Sequence, residues 1–275
     1  MLDKFFRSEK KTAALFLGPS LILYTAYVIF PIFFTFYISL TEWDGVTSET
    51  LFTPCTGEIP EGAGFISSFF HGCFFNYTEL FQEEQFWISL KNNFIWIIFF
   101  GLSPAISLAF AFLFHVKGRT ASFFKSIYFL PMVFSLVVVG TIWNWFLKPY
   151  GGLFETLAHT LGFLDKDTEL SLITDETWGT YALILSASWQ HVSYCLILYL
   201  AGLSNLKKNV LEAARIDGAK GFKLFWNIIL PMLRPANITV FVVTFIGALR
   251  MFDIIKIMAP EQEHTMVLSL YMYEK

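Results

Sequence analysis

Five long apolar runs dominate the chain: roughly Thr12 to Leu40, Asn92 to Phe114, Ser122 to Phe146, Tyr181 to Leu203 and Ala236 to Met258. Each is as long as the roughly 20 residues with which a helix crosses the hydrocarbon core of a bilayer. None shows the alternation of apolar and polar positions that marks a barrel strand. The pattern therefore predicts an all-α integral membrane protein, a polytopic helical bundle with five spans. Pro31, Pro104 and Pro131 fall inside or near the ends of these runs, where membrane helices tolerate kinks. The first run is too long for the apolar region of a signal peptide and lacks a small-residue cleavage site, so it is expected to stay as an anchor. The stretch from Thr265 to Tyr273 is apolar but, at nine residues, too short to cross.

The polar connections alternate in charge. Lys4, Arg7, Lys10 and Lys11 precede the first run; Lys117, Arg119 and Lys125 surround the second turn; Lys207, Lys208, Arg215, Lys220, Lys223 and Arg234 fill the fourth connection. Excess Lys and Arg marks the cytoplasmic side. From Glu42 to Glu84 there are many carboxylates and no Lys or Arg, and Lys166 is surrounded by Asp165, Asp167, Glu169, Asp175 and Glu176. Every connection thus agrees with a cytoplasmic amino terminus and an external carboxyl terminus. The chain reads as a single transmembrane domain over 1–275, with an extracytoplasmic loop at 41–91 and a cytoplasmic loop at 204–235. Composition supports this reading, because 55% hydrophobic residues, 15% charged residues and 33 Phe exceed what one soluble core of this length would bury.

Cys55, Cys73 and Cys195 are far apart and show no metal-ligand spacing. A disulfide between Cys55 and Cys73 is expected only if their segment faces an oxidising compartment. His71, His115, His159 and His264 are isolated, and no clustered acid, base or nucleophile set suggests an enzyme. The sequence predicts no metal and no cofactor bound by this chain.

The fourth connection is too long and too patterned for a simple turn. Asn205 is placed to cap a helix from Leu206 to about Ile216, with Leu206, Val210, Ala213 and Ala214 at helical spacing. Gly218 permits a backbone reversal, and a second amphipathic helix from Ala219 to Ile229 ends near Pro231. Pattern alone leaves two uses open: a surface for another protein, or a segment resting on lipid headgroups.

Glu212-Ala213-Ala214, then Gly218, then Ile228 and Leu230-Pro231 together resemble the EAA signature of permease subunits in binding-protein-dependent ABC importers. Gly18-Pro19-Ser20, Phe30-Pro31, Phe129-Leu130-Pro131-Met132, Trp143, Trp145, Leu200-Ala201-Gly202-Leu203 and Phe252-Asp253 are similar to the carbohydrate-uptake branch, which holds maltose, multiple-sugar and glycerol-phosphate permeases. The resemblance implies a coupling helix seated in a cytoplasmic ATPase, with Glu212, Ala213, Ala214, Asp217 and Gly218 as the docking set. It also implies a second permease subunit, two ATP-binding subunits that carry ATP and Mg, an extracytoplasmic solute-binding protein, and a bacterial or archaeal cytoplasmic membrane. This chain has no GxxxxGK[ST] phosphate-binding loop. Members of this branch usually have a glycine-rich stretch and a sixth crossing after the fifth span, where this sequence has Met258-Ala259-Pro260 leading through Glu261 and Glu263 to Lys275.

Polar groups at membrane depth usually face the protein interior or a water-filled path. The fourth run gathers Ser186, Ser188, Trp189, Gln190, His191, Ser193 and Tyr194, and the fifth offers Thr244 and Gly247. The expected substrate path is Trp189, Gln190, His191, Tyr194, Thr244 and Gly247, since a sugar presents hydroxyls at its edge and C–H groups on its faces. The alternative is packing hydrogen bonds between helices. Arg250 and Asp253, at i,i+3, are expected to neutralise one another. Transport of another solute class remains the rival reading. Single cysteines placed between Thr41 and Gln85 should be labelled by an impermeant reagent from outside; labelling only from inside would overturn the orientation.

Overall fold

The computed structural model describes residues 9–41, 43, 45–46, 73–114, 119–163 and 172–275, without the side chains of 9–11 and 119–122. Cys55, His71, His115, Asp165, Lys166, Asp167, Glu169 and most of the 41–91 loop lie outside the described residues. The chain divides into two units, 1–84 and 85–275.

In the first unit α1 (Glu9–Tyr24), a π turn (Thr25–Ile29) and α2 (Phe30–Ile38) form one apolar helix. The π turn has a local cause. Pro31 has no N–H and its ring would strike the carbonyl of the preceding turn; widening the turn, with Phe30 N donating to Thr25 O, removes the clash. A short helix, α3 (Phe75–Gln82), supplies Asn76, whose Nδ2 donates to Ser39 O at 3.1 Å and Thr41 O at 2.7 Å. These bonds satisfy backbone carbonyls that the end of α2 leaves open. Cys73 is disulfide-bonded, whereas Cys195 is a free, buried thiol.

The second unit contains α4 (Glu84–Phe100), α5 (Ser103–Phe114), α6 (Arg119–Val133), α7 (Leu136–Leu147), α8 (Leu153–Thr160) and α9 (Gly179–Ser204). After the fourth connection come α10 (Lys208–Ile216), α11 (Gly221–Leu224), a π turn (Phe225–Ile229), α12 (Leu230–Met232), α13 (Arg234–Leu249), α14 (Asp253–Met258) and α15 (Leu268–Glu274). Three helical stretches are long and apolar enough to cross a membrane, and two bent pairs bring the possible total to five among the described residues. The third apolar run is not one straight helix: α6 and α7 meet at 103°, with Pro131 just before the break and Ser135 capping α7 through Val138 N at 3.4 Å.

The central helix is α9, which packs on α5, α6, α7 and α13. Its core with α5 and α13 is built from Ala111, Cys195, Leu196, Tyr199, Leu203, Leu233 and Val240, all buried. A Cβ at Gly202 would stand 2.9 Å from Ala236 Cβ, so only glycine lets α9 and α13 approach this closely.

Three expectations need correction. Asn205 does not cap the following helix: it ends α9, its N–H bonding Ala201 O and Gly202 O, and α10 begins only at Lys208. The helix after Gly218 does not cover Ala219 to Ile229 but runs from Gly221 to Met232, ending near Pro231 as expected, by way of a second π turn in which Leu230 N donates to Phe225 O, the same relief seen at Pro31. The fifth run breaks at Arg250 and resumes at Asp253.

Beyond α14 the backbone from Ala259 to Val267 is mostly non-helical, and α4 holds it. Gln85 Nε2 donates to Glu263 O (2.8 Å), Asn92 Nδ2 to His264 O (2.7 Å) and Met266 O (2.8 Å), and Asn93 Oδ1 accepts from Leu268 N (2.7 Å). Asn92 and Asn93 are both buried. Asn92→Leu should cost about 1–3 kcal/mol for each buried carbonyl left unsatisfied; thermal unfolding in detergent measures the loss, and an unchanged midpoint would refute the clamp.

Candidate functional site

Two matching stripes create a cavity in the second unit. Ala187, Gln190, His191 and Tyr194 on α9 follow i, i+3, i+4, i+7, as do Val243, Ile246, Gly247 and Arg250 on α13, and that spacing keeps each set on one helix face. Between them lies a cavity of about 540 Å³, completed by Phe100, by Met132 and Leu136 beside the α6/α7 bend, and by Met251, Phe252 and Asp253.

The sequence-predicted path residues do not all meet there. Gln190, His191, Tyr194 and Gly247 line the cavity. Thr244 is one layer behind, buried, with Oγ1 2.8 Å from His191 Nε2. Trp189 does not line the cavity; it packs edge-on against Trp143 at 6.1 Å. Ser186 and Ser193 donate to carbonyls one turn back in α9, which is helix packing.

Arg250 and Asp253 do not neutralise one another as expected. Among the described residues the one ion pair is Lys256 with Glu274. The break in the helix separates the two charges and gives each its own helix end, Arg250 at the carboxyl end of α13 and Asp253 at the amino end of α14. Those ends carry partial charges of the complementary sign. Both side chains are therefore left on the cavity lining, a result the i,i+3 spacing concealed. Phe100, Met251 and Phe252 gave no sequence signal, because a lining aromatic or Met is indistinguishable from a core residue in an apolar run. Among the described residues no group of His, Cys, Asp and Glu could hold a metal ion.

Gln190 has a second engagement. Its Nε2 donates to Phe134 O, the carbonyl at the α6/α7 break. The same side chain thus lines the cavity and ties the bend.

In the fourth connection, α10 ends in a reversal built on Gly218. Gly218 has φ +85°, Ala219 N donates to Ala214 O (2.9 Å) and Gly218 N to Arg215 O (3.1 Å), the two bonds of a Schellman motif. Glu212, Ala213, Asp217 and Gly218 are exposed. Ala214 is buried within the chain, so of the two alanines only Ala213 is open to a partner. Open space surrounds the Gly218 Cα, so Gly218→Ala should cost about 1–2 kcal/mol from conformation alone. Gly218→Asn should cost less. Equal stability of all three proteins in thermal unfolding would refute the requirement for positive φ.

Comparison with known proteins adds an independent line. The family model described as "Binding-protein-dependent transport system inner membrane component" matches residues 87–273. A probable ABC transporter permease protein of Pyrococcus horikoshii is 32% identical, over 95% of this chain and 83% of its own length. The lactose transport system permease protein LacF of Rhizobium radiobacter is 26% identical over 94% of this chain and 81% of its own. In fold, the chain is similar to a chain of a bacterial ABC transporter involved in the import of the acidic polysaccharide alginate, with TM-score 0.70, 22% identity, and coverage of 99% of this chain and 86% of that one.

Proposed function

We propose a solute for this chain, which belongs to the family of binding-protein-dependent transport system inner membrane components and is a permease of the ABC importer type: it carries a sugar, oligosaccharide or related polyol across the cytoplasmic membrane. The observation that carries the solute reading is the cavity between α9 and α13, where Gln190, His191 and Tyr194 offer hydrogen bonds beside Phe100 and Phe252. Such a mixture suits a molecule with a hydroxylated edge and apolar faces. The name of the lactose permease relative supports the same solute class.

In this reading the amino terminus is cytoplasmic, in accord with the charge of the connections. The partners are a second permease, two ATP-binding subunits that bind and hydrolyse ATP with Mg, and an extracytoplasmic solute-binding protein. Glu212 on α10 is the charged contact with one ATP-binding subunit, flanked by Ala213 and Asp217. The Gly218 reversal sends the chain from this contact into α11, π turn and α12, which meet α13 at 72°. A push on α10 is therefore delivered to the helix that forms one wall of the cavity. Alternation between inward-open and outward-open states follows from that linkage. A zwitterionic solute is the second reading, favoured by the unpaired Arg250 and Asp253 on the cavity lining.

Uptake by the assembled transporter in proteoliposomes, supplied with its solute-binding protein, tests these assignments. Tyr194→Ala should weaken uptake about tenfold, the order expected for one lost hydrogen bond in a site, with assembly intact, and Gln190→Ala should weaken it further, because it also frees Phe134 O at the α6/α7 bend. Glu212→Lys should abolish ATP-driven uptake while membrane insertion persists. Normal uptake in the Tyr194 and Gln190 variants would return those residues to packing. Normal uptake and ATPase association with Lys at 212 would end the docking assignment.

A further inference from the structure

We infer that Thr244 is a positioning residue that locks the His191 ring with Nδ1 as a bare acceptor, so that this wall of the cavity reads the hydroxyl protons of the solute. The inference deepens the sugar or polyol reading and rests on it for the identity of the ligand.

The count of available protons fixes the tautomer. Thr244 Oγ1 lies 2.7 Å from Val240 O and 2.8 Å from His191 Nε2. A hydroxyl has one proton, and a carbonyl oxygen can only accept. If the proton pointed at Nε2, two oxygen lone pairs would face each other at 2.7 Å. The proton therefore goes to Val240 O, in the back-bond to the preceding turn that Thr commonly makes in helices. Toward His191 the hydroxyl then only accepts, so Nε2 must carry the ring proton. Cys195 Sγ, 3.3 Å from Nε2, can share it as a weak acceptor. The neutral ring is left with its lone pair on Nδ1.

The ring has little freedom to turn. Phe100 lies against it, centroids 4.4 Å apart and planes 30° apart, with Tyr194 on its other neighbour position at 6.2 Å. Among the described residues Nδ1 has no hydrogen-bond partner, and it is not among the buried polar atoms cut off from solvent. It belongs to a residue that lines the cavity and is open to it. On the preceding residue, the Gln190 amide is oriented by Phe134 O, which can only accept; this puts Nε2 on the carbonyl and leaves Oε1 as a second acceptor without a partner among the described residues. Arg250 is the one side chain of the lining that can only donate. A ligand that spans the cavity must meet acceptors on α9 with O–H donors while offering oxygen to Arg250, and a polyol does both.

The test uses the assembled transporter, labelled with ¹⁵N-histidine, in lipid nanodiscs, with His191→Asn to assign the signals. The wild type should show His191 as the Nε2–H tautomer. Thr244→Val should give a mixture of tautomers, and Thr244→Ser should restore one. A wild-type ring protonated at Nδ1, or at both nitrogens, would overturn the inference, as would an unchanged tautomer in Thr244→Val. Maltose is then added as the probe: its hydroxyls should shift the Nδ1 resonance, and permethylated maltose, which has no O–H donor, should not. The maltose concentration for half of that shift should rise roughly tenfold in Thr244→Val. Equal shifts from both sugars would overturn the acceptor role. Silence from both, with the Nε2–H tautomer in place, would overturn the sugar reading of the cavity while the tautomer result still decides the role of Thr244.

Discussion

Hydrocarbon offers a peptide group no hydrogen-bond partner, and everything in the second unit follows from where the chain meets that constraint by itself and where it needs help. Straight helices such as α9 satisfy their own backbone. Breaks do not. At the α6/α7 bend and along the segment after α14, polar side chains from another helix stand at the exposed backbone: Gln190 at the bend, and Gln85, Asn92 and Asn93 along the segment. These amides are the reason that irregular backbone can coexist with a largely apolar sequence, and irregular backbone is what opens a cavity among otherwise close-packed helices.

The two π turns belong to the same account. Pro31 and Pro231 each follow a five-residue π turn, so a residue that would break a helix instead produces a local widening with the backbone bonded throughout. At Pro31 this keeps α1 and α2 as one continuous apolar helix. At Pro231 it lets the chain run from the Gly218 reversal to α13, with the bend deferred to Leu233.

The helices were legible because their apolar runs are long and their connections alternate in charge, and both signals come from the membrane rather than from tertiary packing. The Gly218 reversal was legible for a local reason: only a residue without Cβ takes that φ readily. The breaks were not. Nothing in the run from Ser122 to Phe146 says that the helix ends at Val133 rather than kinking at Pro131, because the bond that makes the break tolerable comes to Phe134 O from Gln190, 56 residues later. The same limit explains Asn205, a residue type that favours an N-cap but that here ends the preceding helix. It also explains Arg250 and Asp253, whose helical spacing suggested a pair until the backbone between them proved not to be helical. Of the path residues, those on the α9 stripe could be grouped by spacing alone; Trp189 could not be excluded that way, since its neighbour Trp143 comes from another helix.

In the proposed reading, Gln190 ties solute choice to the α6/α7 bend. Its amide cannot be exchanged to suit a new solute without also releasing Phe134 O at the bend. A lineage drifting toward a different cargo would find this position closed and would have to change the cavity at sites with no backbone duty, such as Met132, Leu136 or Ile246. In that reading, changes of specificity are channelled toward the apolar walls, where volume can be altered one methylene at a time while the bend stays as it was.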